Sequence, residues 1–360
     1  MSVKNRWISI PIHDRTKPER GPREAWPERV EPKALAAEGL QFLAADSPSD
    51  ETWDKHREYG DRLSEMLADA ALPTAAVRVR DCSEALFFAL RSSVETGELN
   101  WKLASAPFCH YRHCPICQWR RSLRTKAIVM SALPTILQQH PTARFAMLTL
   151  TVRNVSITEL RQTILSMNKG WQRLIQRKDW PALGWIRGVE VTAGKDCTAH
   201  PHFHALLMLP AGYFGGRSYT PTKEWVQRWR QAARLDYDPI CDIRAIRVKA
   251  GSQVPSEGTD ARLLAISSAV SETAKYATKT EDLLGCGPDW LREYIGQVHG
   301  LKFLTSGGVL KGVLKDVRED EDEDLVHVEG EEPVEGEVEE RLSYHWRRKL
   351  KRYARKRDAV

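Results

Sequence analysis

The sequence predicts an α+β fold whose main element is a central antiparallel sheet flanked by helices. Short runs rich in β-forming residues alternate with runs of helical period, in the order β, α, β, β, α, β, α. Two of the predicted strands are joined by a short polar segment, which suits a hairpin and is too short for a crossover helix. Strands joined by hairpins, with helices gathered to one side, are typical of α+β domains.

The bulk composition limits the class of protein. With 360 residues, 42% of them hydrophobic, the chain can bury a substantial core. The first residues lack the apolar stretch of a secretory signal and no run is long enough to span a bilayer, so we expect a cytoplasmic protein without a membrane partner. The net charge is only +6, because an acidic run near the C-terminus offsets an excess of Lys and Arg elsewhere. A basic body suits a polyanionic partner.

The N-terminal region, residues 1–75, is rich in proline and charge and has no sustained hydrophobic period. We predict an arm that ends in an amphipathic helix over Asp50 to Leu72. Residues 76–130 follow as a predicted zinc-binding segment. It should begin with a strand at Val77 and continue with a short helix over Leu86 to Leu90.

Residues 140–315 are predicted to form the main domain. Short β-rich runs indicate strands, and apolar residues three or four apart indicate helices. In chain order, the predicted elements are a strand over Phe145 to Val152, a helix over Leu160 to Leu174, strands over Trp185 to Thr192 and His202 to Leu209, a helix over Lys223 to Leu235, a strand over Ile240 to Lys249 and a helix over Asp260 to Leu284.

The C-terminal region changes composition twice. Residues 316–340 are dominated by acidic residues with Gly and Pro, which predicts a disordered linker because they contain too few apolar side chains to fold alone. Residues 341–360 are rich in Lys and Arg, and we predict a basic helical tail there.

One candidate metal centre lies on the predicted hairpin. Residues two apart on a strand share a face, so His202 and His204 lie side by side while Phe203 points into the core. Glu190 is on the non-core face of the neighbouring strand and can approach both histidines. Two imidazoles and a carboxylate suit Mg²⁺ or Mn²⁺ acting as a Lewis acid. The alternatives are incidental histidines and a solvent-facing glutamate.

A candidate nucleophile lies on the last predicted helix of the main domain. Glu272 and Tyr276 are one helical turn apart, with Lys275 and Lys279 nearby. A tyrosine hydroxyl is a poor nucleophile at its ordinary pKa of about 10, but a metal that polarises a phosphodiester and lysines that favour the phenolate make such an attack feasible. The alternative is a tyrosine that only packs against its neighbours.

A second candidate metal site is a cysteine cluster. Cys109, Cys114 and Cys117 fall within nine residues, which in a reducing compartment indicates a zinc site of structural kind. The three basic residues that follow them are predicted to contact DNA phosphates, although a solvated basic face explains them almost as well. These residues are Arg120, Arg121 and Arg124.

Several segments resemble the plasmid replication initiators (Rep proteins) of Gram-positive type, which belong to the HUH endonuclease superfamily and use one principal tyrosine. The three ordered motifs of that family resemble the segments Phe145-Ala-Met-Leu-Thr-Leu-Thr-Val, His200-Pro-His-Phe-His-Ala-Leu-Leu and Glu272-Thr-Ala-Lys-Tyr-Ala-Thr-Lys. The cysteine segment that begins at Phe108 resembles the family's zinc segment, and Lys302-Phe-Leu-Thr-Ser-Gly-Gly-Val-Leu-Lys resembles its closing segment.

The resemblance implies an HUH fold, with a ferredoxin-like or RRM-like sheet, and a role for each site residue. Tyr276 is expected to attack the phosphate at the nick site of the double-strand origin, to become linked to the 5′ end and to release a 3′-OH primer. Glu272 is expected to activate water at termination. Cys82 is implied as the fourth zinc ligand, with His110 and His113 as alternatives.

Two other functions fit the same residues. A relaxase or transposase shares the chemistry but acts on a transfer origin or on the end of a mobile element. A zinc-stabilised DNA-binding regulator needs no catalysis, and its histidines would be incidental. For the initiator, the expected partners are plasmid origin DNA, single-stranded DNA, a host helicase and polymerase, and a second copy of the chain in a homodimer.

Overall fold

The computed structural model describes residues 39–92, 99–215, 219–247, 261–273, 280–315, 325–326, 328 and 338–356. Most of the predicted N-terminal arm, residues 1–38, therefore lies outside the described residues. The first elements are β1 (Leu40–Phe42), α1 (Leu43–Asp46), α2 (Glu51–Asp69), α3 (Pro73–Asp81), β2 (Ala85–Ser92), β3 (Leu99–Ser105) and α4 (Pro115–Gln139).

Helix α2 confirms the amphipathic helix predicted over Asp50 to Leu72. Its buried positions recur three or four residues apart, as one face of a helix requires, and include Trp53, Leu63 and Leu67. Proline occupies the first position of both α3 and α4, where its missing N–H costs no helical hydrogen bond.

Two predictions for residues 77–90 are wrong in opposite senses. The segment predicted as a strand at Val77 is part of α3, and the segment predicted as a short helix over Leu86 to Leu90 is part of β2. Pro73 starts the helix. In β2 the burial alternates, with Leu86 and Phe88 buried and Phe87 exposed. Because this run is apolar on both faces, its two-residue period of burial is not visible as a pattern in the sequence.

The main domain begins with the predicted element order, and a further helix and strand follow that the sequence did not predict. Its elements are β4 (Arg144–Thr151), α5 (Leu160–Ile175), β5 (Gly184–Ala193), β6 (Ala199–Leu209), α6 (Thr222–Ala233), β7 (Cys241–Ala245), α7 (Ala261–Thr273), α8 (Thr280–Leu283), α9 (Gly287–Val298) and β8 (Leu304–Gly308). The helix predicted over Asp260 to Leu284 is described as α7 and α8. Residues 274–279 between them, and so Lys275, Tyr276 and Lys279, lie outside the described residues.

The strands of the main domain form an antiparallel sheet in the order β7-β4-β6-β5-β8. On one face, Phe203 contacts Trp171 of α5 and Trp229 of α6. On the other face, Leu206 clusters with Val129 of α4 and Val270 of α7. Helices therefore cover both faces, and the prediction that they gather on one side is wrong, because consecutive apolar residues near the end of β6 must bury both faces.

A second antiparallel sheet combines the two ends of the described chain. Its order is β1-β10-β9-β2-β3, in which the last two strands of the chain are β9 (Val338–Arg347) and β10 (Arg352–Lys356). The predicted basic helical tail over 341–360 is therefore wrong where the structure describes it. In β9, Tyr344 and Trp346 are buried on either side of the exposed His345, which is the period of a strand.

Part of the predicted acidic linker is docked on the protein. Leu325, Val326 and Val328 are buried, and Arg120 of α4 donates hydrogen bonds to the carbonyl oxygens of Leu325 and Val326 at 2.7 and 2.8 Å. The prediction of disorder is wrong for these residues, because apolar side chains interrupt the acidic run there. Residues 316–324, 327 and 329–337 lie outside the described part of the chain.

None of the helices in the described part of the chain has the length and apolar character needed to cross a bilayer.

Candidate functional site

The β5–β6 hairpin brings together the three residues of the first predicted metal centre. Its register places Glu190 directly opposite His202. The Oε2 atom of Glu190 lies 3.1 Å from Nε2 of His204 and 3.5 Å from Nε2 of His202. Ligand atoms bound to one ion at about 2.1 Å in neighbouring octahedral positions are about 3.0 Å apart, so this spacing suits a shared divalent ion.

The charge of this cluster favours a bound cation. Glu190 and His202 are buried, whereas His204 is only half-buried. Burial acts to raise the pKa of Glu190, but hydrogen bonds with His202 and His204 outweigh it and hold that pKa well below its usual range. The carboxylate is therefore ionised inside the protein. One anion and two imidazoles at this spacing can bind Mg²⁺ or Mn²⁺ and leave coordination positions for other oxygen ligands.

The other ring nitrogen of each histidine has an oxygen neighbour. Nδ1 of His202 lies 3.2 Å from the carbonyl oxygen of His200, and Nδ1 of His204 lies 3.2 Å from Oγ1 of Thr149. A carbonyl oxygen only accepts, so a neutral His202 that donates from Nδ1 to this carbonyl would present the lone pair of Nε2 to a bound cation. Sequence reasoning missed Thr149, which becomes identifiable only once the β4–β6 register places it opposite His204.

The last turn of α7 rests on the sheet beside this centre. Gly188 lies two residues before Glu190 on β5, and a Cβ atom at Gly188 would lie 2.4 Å from the carbonyl oxygen of Thr273. Only glycine permits this close approach. Glu272, one residue before Thr273, is thereby held at the end of the helix that runs toward the metal centre. Gly188 is a second residue that the sequence did not reveal, because its role depends on a tertiary contact.

The four predicted zinc ligands converge as well. The sulfur atoms of Cys82, Cys109, Cys114 and Cys117 all lie within 4.8 Å of one another, and Cys82 and Cys117 approach to 3.6 Å. Three of these cysteines are fully buried and Cys109 is partly exposed. His113 lies outside the cluster, between the rings of Tyr111 and Tyr294. The grouping found among the described residues contains Cys82 and neither alternative histidine.

The chemistry of the cysteine cluster suits a cation. Hydrogen bonds from the other three thiols hold the pKa of Cys109 far below its ordinary value, whereas burial raises the pKa of Cys114. A single thiolate can thus be stabilised by its neighbours alone. Four thiolates in one buried place need a positive ion, and Zn²⁺ accepts four sulfur ligands in tetrahedral geometry.

Cys197 and Cys286 form a disulfide that the sequence did not predict. It joins the loop between β5 and β6 to the start of α9, where Trp290 donates a hydrogen bond to the carbonyl oxygen of Cys197 at 2.8 Å. The two cysteines are 89 residues apart, and no spacing motif connects them.

The arginines at the start of α4 do not share one environment. Arg120 and Arg121 are buried, and their guanidinium groups donate to backbone carbonyls at 2.7 to 3.1 Å. The expectation that these two contact DNA is wrong in this conformation, because both side chains are buried and hydrogen-bonded to the backbone inside the protein. Arg124 is partly buried, and its contact with DNA remains a prediction.

The chain is similar to proteins described as replication proteins. A family model described as "Replication protein" matches residues 100–354. The chain is similar to a "Protein rep" of Bacillus amyloliquefaciens, with 33% identity over 82% of this chain and 89% of the relative. It is also similar to a "Protein rep" of Lentilactobacillus hilgardii, with 32% identity over 75% of this chain and 84% of the relative. No solved structure matches the chain.

Proposed function

The chain belongs to the replication protein (Rep) family, and on that premise we propose that it initiates rolling-circle replication of a plasmid by cutting and rejoining one DNA strand at the origin. The observation that carries the proposal is the Glu190, His202 and His204 cluster beside the end of α7. A regulator that only binds DNA has no use for an ionised buried carboxylate facing two imidazoles. Membership of the Rep family favours a replication origin over the targets of relaxases and transposases.

The main domain is proposed to be an HUH endonuclease fold. Glu190, His202 and His204 would hold Mg²⁺ or Mn²⁺, which supplies Lewis-acid polarisation of the scissile phosphate when it is bound. The contact between Nδ1 of His202 and the carbonyl of His200 keeps the ligand nitrogen turned toward Glu190. The hydroxyl of Thr149 does the same for His204.

Tyr276 is the proposed nucleophile. Its phenolic oxygen attacks the phosphorus, the bond from phosphorus to the 3′ oxygen breaks, and that oxygen leaves as a 3′-OH after gaining a proton. The 5′ phosphate remains joined to the tyrosine, and the free 3′-OH primes synthesis by the host polymerase. Lys275 and Lys279 are proposed to favour the phenolate and to contact DNA, as Arg124 is proposed to do.

Glu272 is the proposed general base for termination. A carboxylate accepts a proton from water near pH 7 far more readily than a neutral phenol does, so the second cleavage can end in hydrolysis instead of another tyrosyl adduct. The close contact between Gly188 and Thr273 keeps this part of α7 near the metal ligands.

The cysteine cluster is proposed to bind structural Zn²⁺. Four sulfur ligands close the coordination sphere, so no position is left for substrate. The remaining proposals concern partners and location: origin DNA and single-stranded DNA as substrates, a host helicase and polymerase as partners, assembly as a homodimer and residence in the cytoplasm.

Covalent capture tests the proposed function directly. The full chain is incubated with a randomised single-stranded oligonucleotide library, and protein–DNA adducts are recovered under denaturing conditions. We expect adducts with Mn²⁺ or Mg²⁺, none after brief chelation, and none with His202→Ala or His204→Ala. His200→Ala is the matched control, because it removes a neighbouring imidazole from the same strand and keeps the carbonyl that contacts His202. Chelator-resistant cleavage, or equal loss in the control, would refute the proposed metal centre.

A further inference from the structure

An exposed arginine is held on an aromatic ring at the edge of the metal centre. Arg153 lies two residues after the end of β4, and its guanidinium carbon is 3.8 Å from the ring centre of Tyr237. The backbone N–H of Arg153 also donates to the hydroxyl oxygen of Tyr237 at 2.8 Å. The Arg153 side chain is nevertheless 67% exposed. These contacts order the cation before any ligand arrives, which lowers the entropy lost on binding.

Ile240 extends the same edge. Its side chain is 68% exposed, and its carbonyl oxygen accepts hydrogen bonds from the backbone N–H and the hydroxyl of Thr151 at 3.2 and 2.9 Å. A single exposed isoleucine is common on protein surfaces and means little by itself. Here it adjoins an ordered arginine and an aromatic ring. We call Arg153, Tyr237 and Ile240 the β4–β7 rim.

The rim lies close to the metal ligands. Thr151 is directly opposite His202 in the β4–β6 pairing and is bonded on its other side to Ile240. Adjacent strands are about 4.8 Å apart, which places Ile240 about 10 Å from His202 across the sheet. A nucleotide strand held at the metal centre can reach the rim with its neighbouring residues.

Three aspartates flank the rim in the described part of the chain, and two of them form close ion pairs. Asp238 lies 2.9 Å from Arg230 and Asp242 lies 2.6 Å from Arg244. Asp236 is the acid nearest to Arg153, but the two groups are 4.0 Å apart and Asp236 is 87% exposed. A solvent-exposed ion pair at this distance contributes little, so a phosphate can displace the carboxylate.

We infer that the β4–β7 rim binds the single strand of DNA next to the cleaved phosphate. This inference rests on the proposed function and adds a substrate-binding site to it. Arg153 holds a backbone phosphate, since a guanidinium pairs with phosphate oxygens through two donors. The guanidinium lies over the phenol ring, and the outer face of this stacked pair offers a flat surface on which a base stacks, with Ile240 as an apolar neighbour. These contacts are independent of sequence.

The salt dependence of binding tests the inference. The affinity of the full chain for a fluorescein-labelled single strand of mixed sequence is measured by anisotropy over a range of salt concentrations. Each phosphate contact adds about 0.7 to the slope of log affinity against log salt for a single strand, so Arg153→Ala should reduce the slope by about 0.7. Arg144→Ala is the matched control: it removes an exposed arginine at the opposite end of β4 and should leave the slope unchanged.

Two further variants separate the charge from the ring. Tyr237→Ala should weaken binding roughly fivefold to a hundredfold, as expected for the loss of a base-stacking surface. Asp236→Asn should strengthen binding up to about fivefold, because the competing carboxylate is gone.

The outcomes distinguish this inference from the proposed function. A wild-type chain that binds and cleaves DNA, with equal slopes for Arg153→Ala and Arg144→Ala, overturns the rim and leaves the proposed function intact. A wild-type chain that neither binds nor cleaves single strands overturns both.

Discussion

The two ligand clusters of this protein differ in the number of ligands that they offer to an ion. The four cysteines come from the end of α3, the loop before α4 and the first turn of α4, and three of them are fully buried. Glu190, His202 and His204 come from one hairpin and supply three ligands, and the side chain of His204 is 16% exposed. Structural zinc sites are closed by four protein ligands, whereas catalytic sites keep a position open for substrate. We therefore propose a stabilising role for the first cluster and a chemical role for the second.

The surroundings of the clusters support that division. Next to Cys82, the carbonyl oxygen of Ser83 accepts a hydrogen bond from the hydroxyl of Tyr353 at 2.6 Å. Tyr353 belongs to β10 and is fully buried against Trp53 of α2. The cysteine cluster thus lies where helices and the second sheet meet. The hairpin cluster instead lies beside the end of α7.

The largest expected effect follows from disrupting the cysteine cluster. Cys117→Ser should abolish zinc binding and lower the melting temperature by about 10 °C or more, because metal binding at a structural site is part of the folding free energy. Calorimetry and zinc analysis of the purified chain measure both. Cys241→Ser is the matched control, since Cys241 is a buried free cysteine outside the cluster, where burial raises its pKa to about 12. If both variants melt alike with full zinc content, the division of roles is wrong.

A change in the hairpin cluster should instead lower activity without affecting zinc content. Glu190→Gln keeps the size of the side chain and removes its charge, so the divalent ion binds less tightly and strand cleavage should fall about a hundredfold to a thousandfold. Zinc content should stay the same. Single-turnover cleavage and Mn²⁺ titration provide the measurements. A variant that cleaves at the wild-type rate would remove Glu190 from the proposed metal centre.

A smaller effect is expected from a change at the contact between β5 and α7. Gly188→Ala places a methyl group against the carbonyl of Thr273, so the end of α7 must move away from the metal ligands. Cleavage should fall roughly tenfold to a hundredfold, as displacements of about 1 Å typically cause, with Mn²⁺ affinity unchanged. Gly296→Ala in α9 is the control, because no heavy atom lies within 4 Å of the new Cβ atom. Equal rates for both variants would contradict the positioning role.

The smallest effect concerns the orientation of one ligand. Thr149→Val removes the hydroxyl beside Nδ1 of His204 and should weaken Mn²⁺ binding about tenfold, the lower end of the range for partners of metal-bound histidines. Thr149→Ser retains the hydroxyl and should bind Mn²⁺ as the wild type does. Isothermal titration distinguishes the two variants. Equal Mn²⁺ affinities for Thr149→Val and Thr149→Ser would show that the hydroxyl does not contribute to metal binding.

The sequence predicted the main domain because its pattern is local. The buried stripe of α5 and the alternation of β5 and β6 appear within single elements, and a short loop fixes the hairpin. Glu190, His202 and His204 follow from the same hairpin, since their contact needs only the pairing of neighbouring strands. Thr149 required the register of a third strand, and Gly188 required the approach of a helix, so neither was predictable.

The second sheet was missed for the same physical reason. β1 pairs with β10, so residues near position 41 lie beside residues near position 355. The sequence of neither segment indicates which strand it pairs with. The charged residues of β9 and β10 concealed the buried Tyr344 and Trp346. Charge likewise suggested that Arg120 and Arg121 face solvent. Their burial depends on partners that composition does not reveal, which are Leu325 and Val326 for Arg120 and His110 for Arg121.

The most direct test of the account is to identify the residue joined to DNA. The adduct captured from a single-stranded oligonucleotide in Mn²⁺ is digested and sequenced by mass spectrometry, with Tyr276→Phe in parallel. We predict a 5′-phosphate on Tyr276 and no adduct in the variant, which should still bind DNA. An adduct on another residue, or metal-dependent cleavage by Tyr276→Phe at the wild-type rate, would contradict it.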